Sequence, residues 1–276
     1  IPFKKEFPER YIQCGIAEQD MVSLAGGMAL QGVLPIVHSF ECFLSTRANE
    51  HFYNNATERT KIIYAGCLAG LLPGMPGHSH QSVRGISALG SIPGLTLIQP
   101  CNEKETRMAL RWAVEKNQEQ TYIRLVNIAC ECPFKLPDDY ELKVGQGVKL
   151  VEGMDILIFA YGPVMIGEAV KASKFLSEKQ VSAAVVNFPW LNRVDEEWLK
   201  KAAKSYKMIV TIDDHYVALG QGMQIRSVLA GVIGPETKVL SLGLTKIPVC
   251  GHNAEVLKAH ELDFESLAGK IELGFR

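Results

Sequence analysis

The feature that most constrains this chain is a steady alternation of short apolar runs with segments of helical period. Residues 34–40, 61–66, 95–99 and 121–125 read as buried strands, and residues 10–14 form a further short strand candidate. Between them lie helical segments at 17–30, 44–55 and 103–114; in the first, Met21, Val22, Ala25, Ala29 and Leu30 fall on one face and Gly32 supplies the stop. Strand, helix, strand repeated in this way predicts a parallel sheet covered by helices, because consecutive parallel strands need a crossover between them. The stretch 130–147, with Pro133, Pro137 and mixed charges, reads as a linker. The alternation then restarts, with strands at 155–160, 183–187, 208–213 and 238–242, helices at 166–177, 196–205 and 222–230, and one or two short helices after Ala254. Two three-layer α/β domains are therefore expected, divided as 1–135 and 136–276, consistent with a length of 276 residues.

Composition excludes several roles. A formal net charge of −1 gives no electrostatic pull toward nucleic acid, and every apolar run is interrupted well short of the ~18 residues that span a bilayer. Seven scattered cysteines, an odd number, fit reduced and mostly buried thiols rather than a disulfide framework. With no signal-peptide pattern in residues 1–6, a cytoplasmic protein is expected, and the lack of a starting Met points to a shortened chain.

Three places carry possible chemistry. Glu18 opens a helix just after a strand candidate, the end of an open α/β sheet where ligands bind; a first-turn carboxylate is also ordinary complementation of the helix dipole. Phe40 and Phe43 are three residues apart at a strand-to-helix turn, where they either fill core or offer faces to a flat heteroaromatic ring. His78 and His80 lie on a loop rich in Gly and Pro, suited to hydrogen bonding or proton transfer with an oxygenated substrate or simply to solvent. No third and fourth ligand stands at a metal-binding spacing, so no metal site is assigned to this chain. Gly145-Gln146-Gly147 and Gly220-Gln221-Gly222 complete no nucleotide-binding fingerprint, and Asp213-Asp214-His215 reads as a polar strand end at a domain or subunit contact.

The order of motifs is more specific than any one of them. The run Pro8 to Met21, the segment Pro35–Phe43, the loop ending Ser79-His80-Gln81, Ile92-Pro93-Gly94-Leu95-Thr96, Pro100 to Thr106 and Tyr122-Ile123-Arg124-Leu125 resemble the pyrimidine-binding domain of the transketolase family. Residues 155–162, Asp195-Glu196-Glu197 and Thr211 to His215 resemble that family's C-terminal domain. The resemblance implies a thiamine-diphosphate enzyme that moves a two-carbon ketol unit from a ketose to an aldehyde. It implies that Glu18 is the carboxylate sharing a proton with N1′ of the aminopyrimidine, an arrangement that burial would favour. It also implies that Phe40 and Phe43 form the aromatic wall for that ring and that His80 faces the substrate.

Two departures shape the expectation. The family's Gly-Asp-Gly and Asn ligands for magnesium are missing, which implies that diphosphate and Mg2+ are held mainly by a separate subunit in an α2β2 heterotetramer. The helix and strand that precede Pro8 in the family are missing as well. At the positions that contact sugar phosphates in the family stand Leu68, Pro76 and Asn127, with His78 on the same loop; these form the tentative substrate pocket and predict a less polar or unphosphorylated acceptor. The competing expectations are a non-catalytic subunit of such a complex and the β-subunit of a 2-oxoacid-decarboxylating enzyme.

Overall fold

The computed structural model describes residues 2–234 and 236–276. A short helix α1 (Pro2–Glu6) and a 3-10 turn (Pro8–Arg10) lead into α2 (Glu18–Leu30). Then follow β1 (Ile36–Phe40), α3 (Glu41–Arg47), α4 (Asn49–Thr57), β2 (Ile63–Cys67), α5 (Gly85–Leu89), β3 (Leu95–Ile98), α6 (Glu103–Glu115) and β4 (Gln120–Leu125). The four strands form one parallel sheet in the order β1-β2-β4-β3, with β2 and β4 central. The second sheet is built from β5 (Val148–Val151), β6 (Ile156–Ala160), β7 (Ala183–Asn187), β8 (Met208–Tyr216) and β9 (Lys238–Leu244), in the order β5-β7-β6-β8-β9. It is parallel except for β5, which runs antiparallel along the edge. Helices α7 (Gly162–Glu178), α8 (Glu196–Ala203), α9 (Gln221–Leu229), α10 (Asn253–Ala259) and α11 (Phe264–Phe275) complete this half. No described helix is long and apolar enough to cross a membrane.

Differences from the sequence expectation have physical causes. Residues 10–14 do not form a strand: Arg10 closes the 3-10 turn, and residues 11–14 find no neighbouring edge to pair with, leaving Ile12 exposed. The helix expected over 44–55 is two helices, α3 and α4, jointed at the buried Ala48, whose φ of −98° and ψ of 16° leave the helical region. Helix α5, at five residues, is too short to show a period, and β5 follows directly on the linker stretch. The strand expected to end at Asp213 continues to Tyr216, because Asp213, Asp214 and His215 are buried and satisfied by partners in both halves.

The two halves share a core. One apolar cluster unites Ile63, Ile98 and Ile123 of the first sheet with Leu157, Phe159 and Ile209 of the second, and Trp112 of α6 meets Trp190 edge-on at 5.0 Å. Burying such rings across the junction holds the sheets in one relative position. The seven cysteines are free thiols, with Cys42, Cys67 and Cys101 buried and Cys132 and Cys250 exposed.

Candidate functional site

The site forms where α2 and α3 begin, at the carboxyl end of β1. Gly15, at a φ of 72°, turns the chain into α2 and places Glu18 in its first turn. The carboxylate is buried, at 4% exposure, and its Oε2 accepts a hydrogen bond from Nη1 of Arg47 at 3.1 Å. Phe40 closes β1 and remains 42% exposed; Phe43 lies half-buried one turn along, 6.4 Å away between ring centroids. His80 reaches across from its loop and meets Phe43 edge-on at 5.1 Å and Phe40 at 6.1 Å. Ser79 and His80 Nδ1 are 3.0 Å apart, which leaves Nε2 as the ring nitrogen free for a ligand. Phe40, Phe43 and His80 thus cluster together, and Glu18 is linked to them through Arg47, which pairs with its carboxylate and lies over the Phe43 ring.

Arg47 is the member that the sequence reading missed. Its guanidinium carbon sits 4.1 Å above the Phe43 ring while it pairs with Glu18. The signal was present: Phe43 and Arg47 are four residues apart in a helical segment and therefore share a face.

The tentative substrate residues separate into two groups. Leu68, at a left-handed φ of 57°, donates its N–H to Oδ1 of Asn127 at 3.0 Å, so these two are brought together at the ends of β2 and β4. Pro76 and His78 are exposed on a loop that leans on the second half instead. Gly74 N–H donates to Asn253 Oδ1 at 3.0 Å, and Cys250 Sγ donates to the Met75 carbonyl at 3.1 Å.

A buried polar seam runs between the two halves. Arg124, fully buried, donates from Nε to Glu41 Oε1 at 3.3 Å, from Nη1 to Gln99 Oε1 at 2.6 Å and from Nη2 to the Ser82 carbonyl at 2.8 Å. Burial pushes the Glu41 carboxyl up to about 7 against the opposing pull of Arg124. Asp213, also raised to about 7 by burial, accepts from Gln221 N–H at 2.8 Å, Gly222 N–H at 3.0 Å and Tyr161 at 3.2 Å. Asp214 accepts from Leu71 N–H at 2.8 Å, and its carboxyl is likewise raised by burial. His215 Nε2 accepts from Ser87 N–H at 3.3 Å while Nδ1 lies 2.8 Å from the Tyr216 carbonyl. That pattern suits a neutral ring, and burial pulls its pKa down to about 4. The seam ties β8 of the second half to the loops of the first.

The architecture and this cluster define a class: a two-domain α/β chain offering a buried acid linked through one arginine to an aromatic surface at the end of a parallel sheet. The comparisons with known proteins name it. The model of the transketolase pyrimidine-binding domain matches residues 2–129, and that of the transketolase C-terminal domain matches residues 145–267. A Methanocaldococcus jannaschii protein provisionally named as a transketolase C-terminal section is 32% identical over 98% of this chain and 84% of its own length. One of the subunits of the apulose-4-phosphate transketolase of Phocaeicola vulgatus is 29% identical over 96% of this chain and 84% of its own. A solved structure titled as an inactive beta4 tetramer of a split-gene transketolase superposes with a TM-score of 0.86, at 27% identity, covering 99% of this chain and 86% of the other. The chain belongs to the transketolase family, a family of thiamine-diphosphate-dependent transferases.

Proposed function

We propose that this chain is the half of a split transketolase-type enzyme that provides the pyrimidine end of the thiamine-diphosphate site, Glu18 being its acid. The observation that carries the reading is a buried carboxylate linked through Arg47 to the Phe43 ring, which clusters with Phe40 and His80. The residues fit one end of the cofactor. Glu18 supplies an acceptor for a ring N–H, and Phe40 and Phe43 supply faces of a size and polarity suited to a heteroaromatic ring. They do not fit the other end, since no cluster of three or more His, Cys, Asp or Glu side chains that could hold a cation occurs among the described residues. Diphosphate and Mg2+ would then lie on a partner subunit, and an α2β2 heterotetramer would place the cofactor between unlike chains. The split-gene structure, titled as an inactive tetramer, supports a need for a partner here.

When bound, the cofactor supplies the carbon nucleophile that cleaves a ketose and carries the two-carbon unit to an aldehyde. Glu18 holds the proton at the pyrimidine ring nitrogen, in a crevice that excludes water. Phe40 and Phe43 orient the ring, and His80 Nε2 holds or moves a proton on a substrate hydroxyl. Leu68 and Asn127 flank the substrate side, with Pro76 and His78 on the neighbouring loop. Asn127 carries no charge at the position where the family resemblance expects a phosphate-gripping Arg, which supports an acceptor without a phosphate. The enzyme should therefore show a higher kcat/KM for unphosphorylated aldehydes than for their phosphates.

The deciding experiment is Glu18→Gln in the complex purified with its partner. The proposal expects kcat for ketol transfer to drop about 10²- to 10⁴-fold. Unaltered turnover would assign this chain a structural role in the complex.

A further inference from the structure

Arg47 stands where the cofactor ring is expected. We infer that it is an exchangeable placeholder, a positioning residue that satisfies Glu18 and covers Phe43 until the pyrimidine ring takes both places. The inference rests on the reading that Glu18 and Phe43 receive that ring.

Two independent contacts carry it. The guanidinium donates to Glu18 Oε2 at 3.1 Å, occupying a carboxylate oxygen that a ring N–H would use. The same guanidinium lies over Phe43 at 4.1 Å from its centroid, on a face that a stacked ring would use, so the two cannot share that face. The other aromatic neighbours of Phe43 are His80 at 5.1 Å and Phe40 at 6.4 Å, which narrows the remaining approaches.

The placement of Arg47 fits a side chain meant to move. It is the last residue of α3 and its side chain is 44% exposed. Among the described residues its one side-chain hydrogen-bond partner is Glu18. Glu18 differs: it is buried on rigid helix α2, and without Arg47 its carboxylate would lose the one side-chain donor it has among the described residues. A buried unpaired charge is costly, so the acid needs a partner in both states. Exchange of one donor for another meets that need. The guanidinium swings to solvent, where it is well hydrated, and an incoming ring N–H takes its place.

The consequence is opposite to that of an ordinary binding residue. Arg47→Ala should tighten thiamine diphosphate, because the free state loses both the ion pair and the cation–π contact while the bound state loses neither. Contacts of this kind at half-exposed positions correspond to about a 5- to 30-fold change in Kd. The measurement is titration calorimetry of thiamine diphosphate with Mg2+ into the purified two-subunit complex, comparing wild type, Arg47→Ala, Arg47→Lys and Phe43→Ala. Lysine keeps the charge beside Glu18 and gives up flat stacking, so its Kd should fall between those of wild type and Arg47→Ala. An arginine needed only for structure would weaken binding when removed, and so would one that contacts the bound cofactor. A weaker or unaltered Kd for Arg47→Ala, with Phe43→Ala weakened, overturns the placeholder while leaving the site reading in place. An unaltered Kd for Phe43→Ala overturns both.

Discussion

At the scale of single residues, this protein buries more charge than its size requires. Arg124 makes three hydrogen bonds from a fully buried position, and Glu41, Gln99 and Ser82 depend on it. Arg124→Met should cost ~3–5 kcal/mol of unfolding free energy in urea titrations, since it leaves Glu41 and Gln99 with unmet polar atoms. His215 gives a pH signature of defined sign. Its pKa lies at about 4 in the fold against an ordinary 6.5, so between those values the unfolded chain binds the extra proton. Its contribution is complete above pH 6.5 and is lost as pH falls toward 4. His215→Gln should therefore destabilise the chain at pH 7, with the difference from wild type narrowing as pH is lowered to 4.5. Glu41 and Asp213 work in the opposite sense: each is raised to about 7, so their contribution is complete below their ordinary range and declines as pH rises through 7. Asp213-Asp214-His215 reads in the sequence as a polar strand end at a domain or subunit contact, and it does meet the first half through Leu71 and Ser87. The shifted protonation was not legible, since burial is a property of what packs above the strand.

At the scale of elements, local chemistry decides more. Helix α6 is capped by Asn102, whose Oδ1 accepts from Glu105 N–H at 3.0 Å. Asn102→Ala should lower stability by about 1 kcal/mol, measured as a shift in the urea midpoint with unchanged slope. The loop after β2 is different. Gly70 has a φ of 90°, and a Cβ there would overlap the Asp214 carboxylate. Gly70→Ala should combine backbone strain with a clash at the domain seam, costing on the order of 2–4 kcal/mol and broadening the thermal transition. The sequence shows a loop rich in Gly and Pro but not which glycine lies against an acid in the other half of the chain. The joint between α3 and α4 is similar: the sequence reads as one helix over 44–55, and the backbone turn at the buried Ala48 divides it.

At the scale of the whole molecule, the shared cluster around Trp190 and the polar seam make the two halves one body. Trp190→Ala removes a fully buried indole that meets Trp112 and should cost ~3–5 kcal/mol. Calorimetry should show the transitions of the two halves separating, because the rings that couple them are gone. Alternation of strand and helix determined the two α/β halves, and the motif order determined the family, because periodicity and turn chemistry are local and survive in one dimension. Tertiary structure alone decided that Phe40, Phe43 and His80 cluster, that Arg47 links Glu18 to that cluster, and that Leu68 meets Asn127 while the loop of Pro76 and His78 leans on the second half. Those facts depend on distances between segments remote in the chain, which are set by how the layers pack.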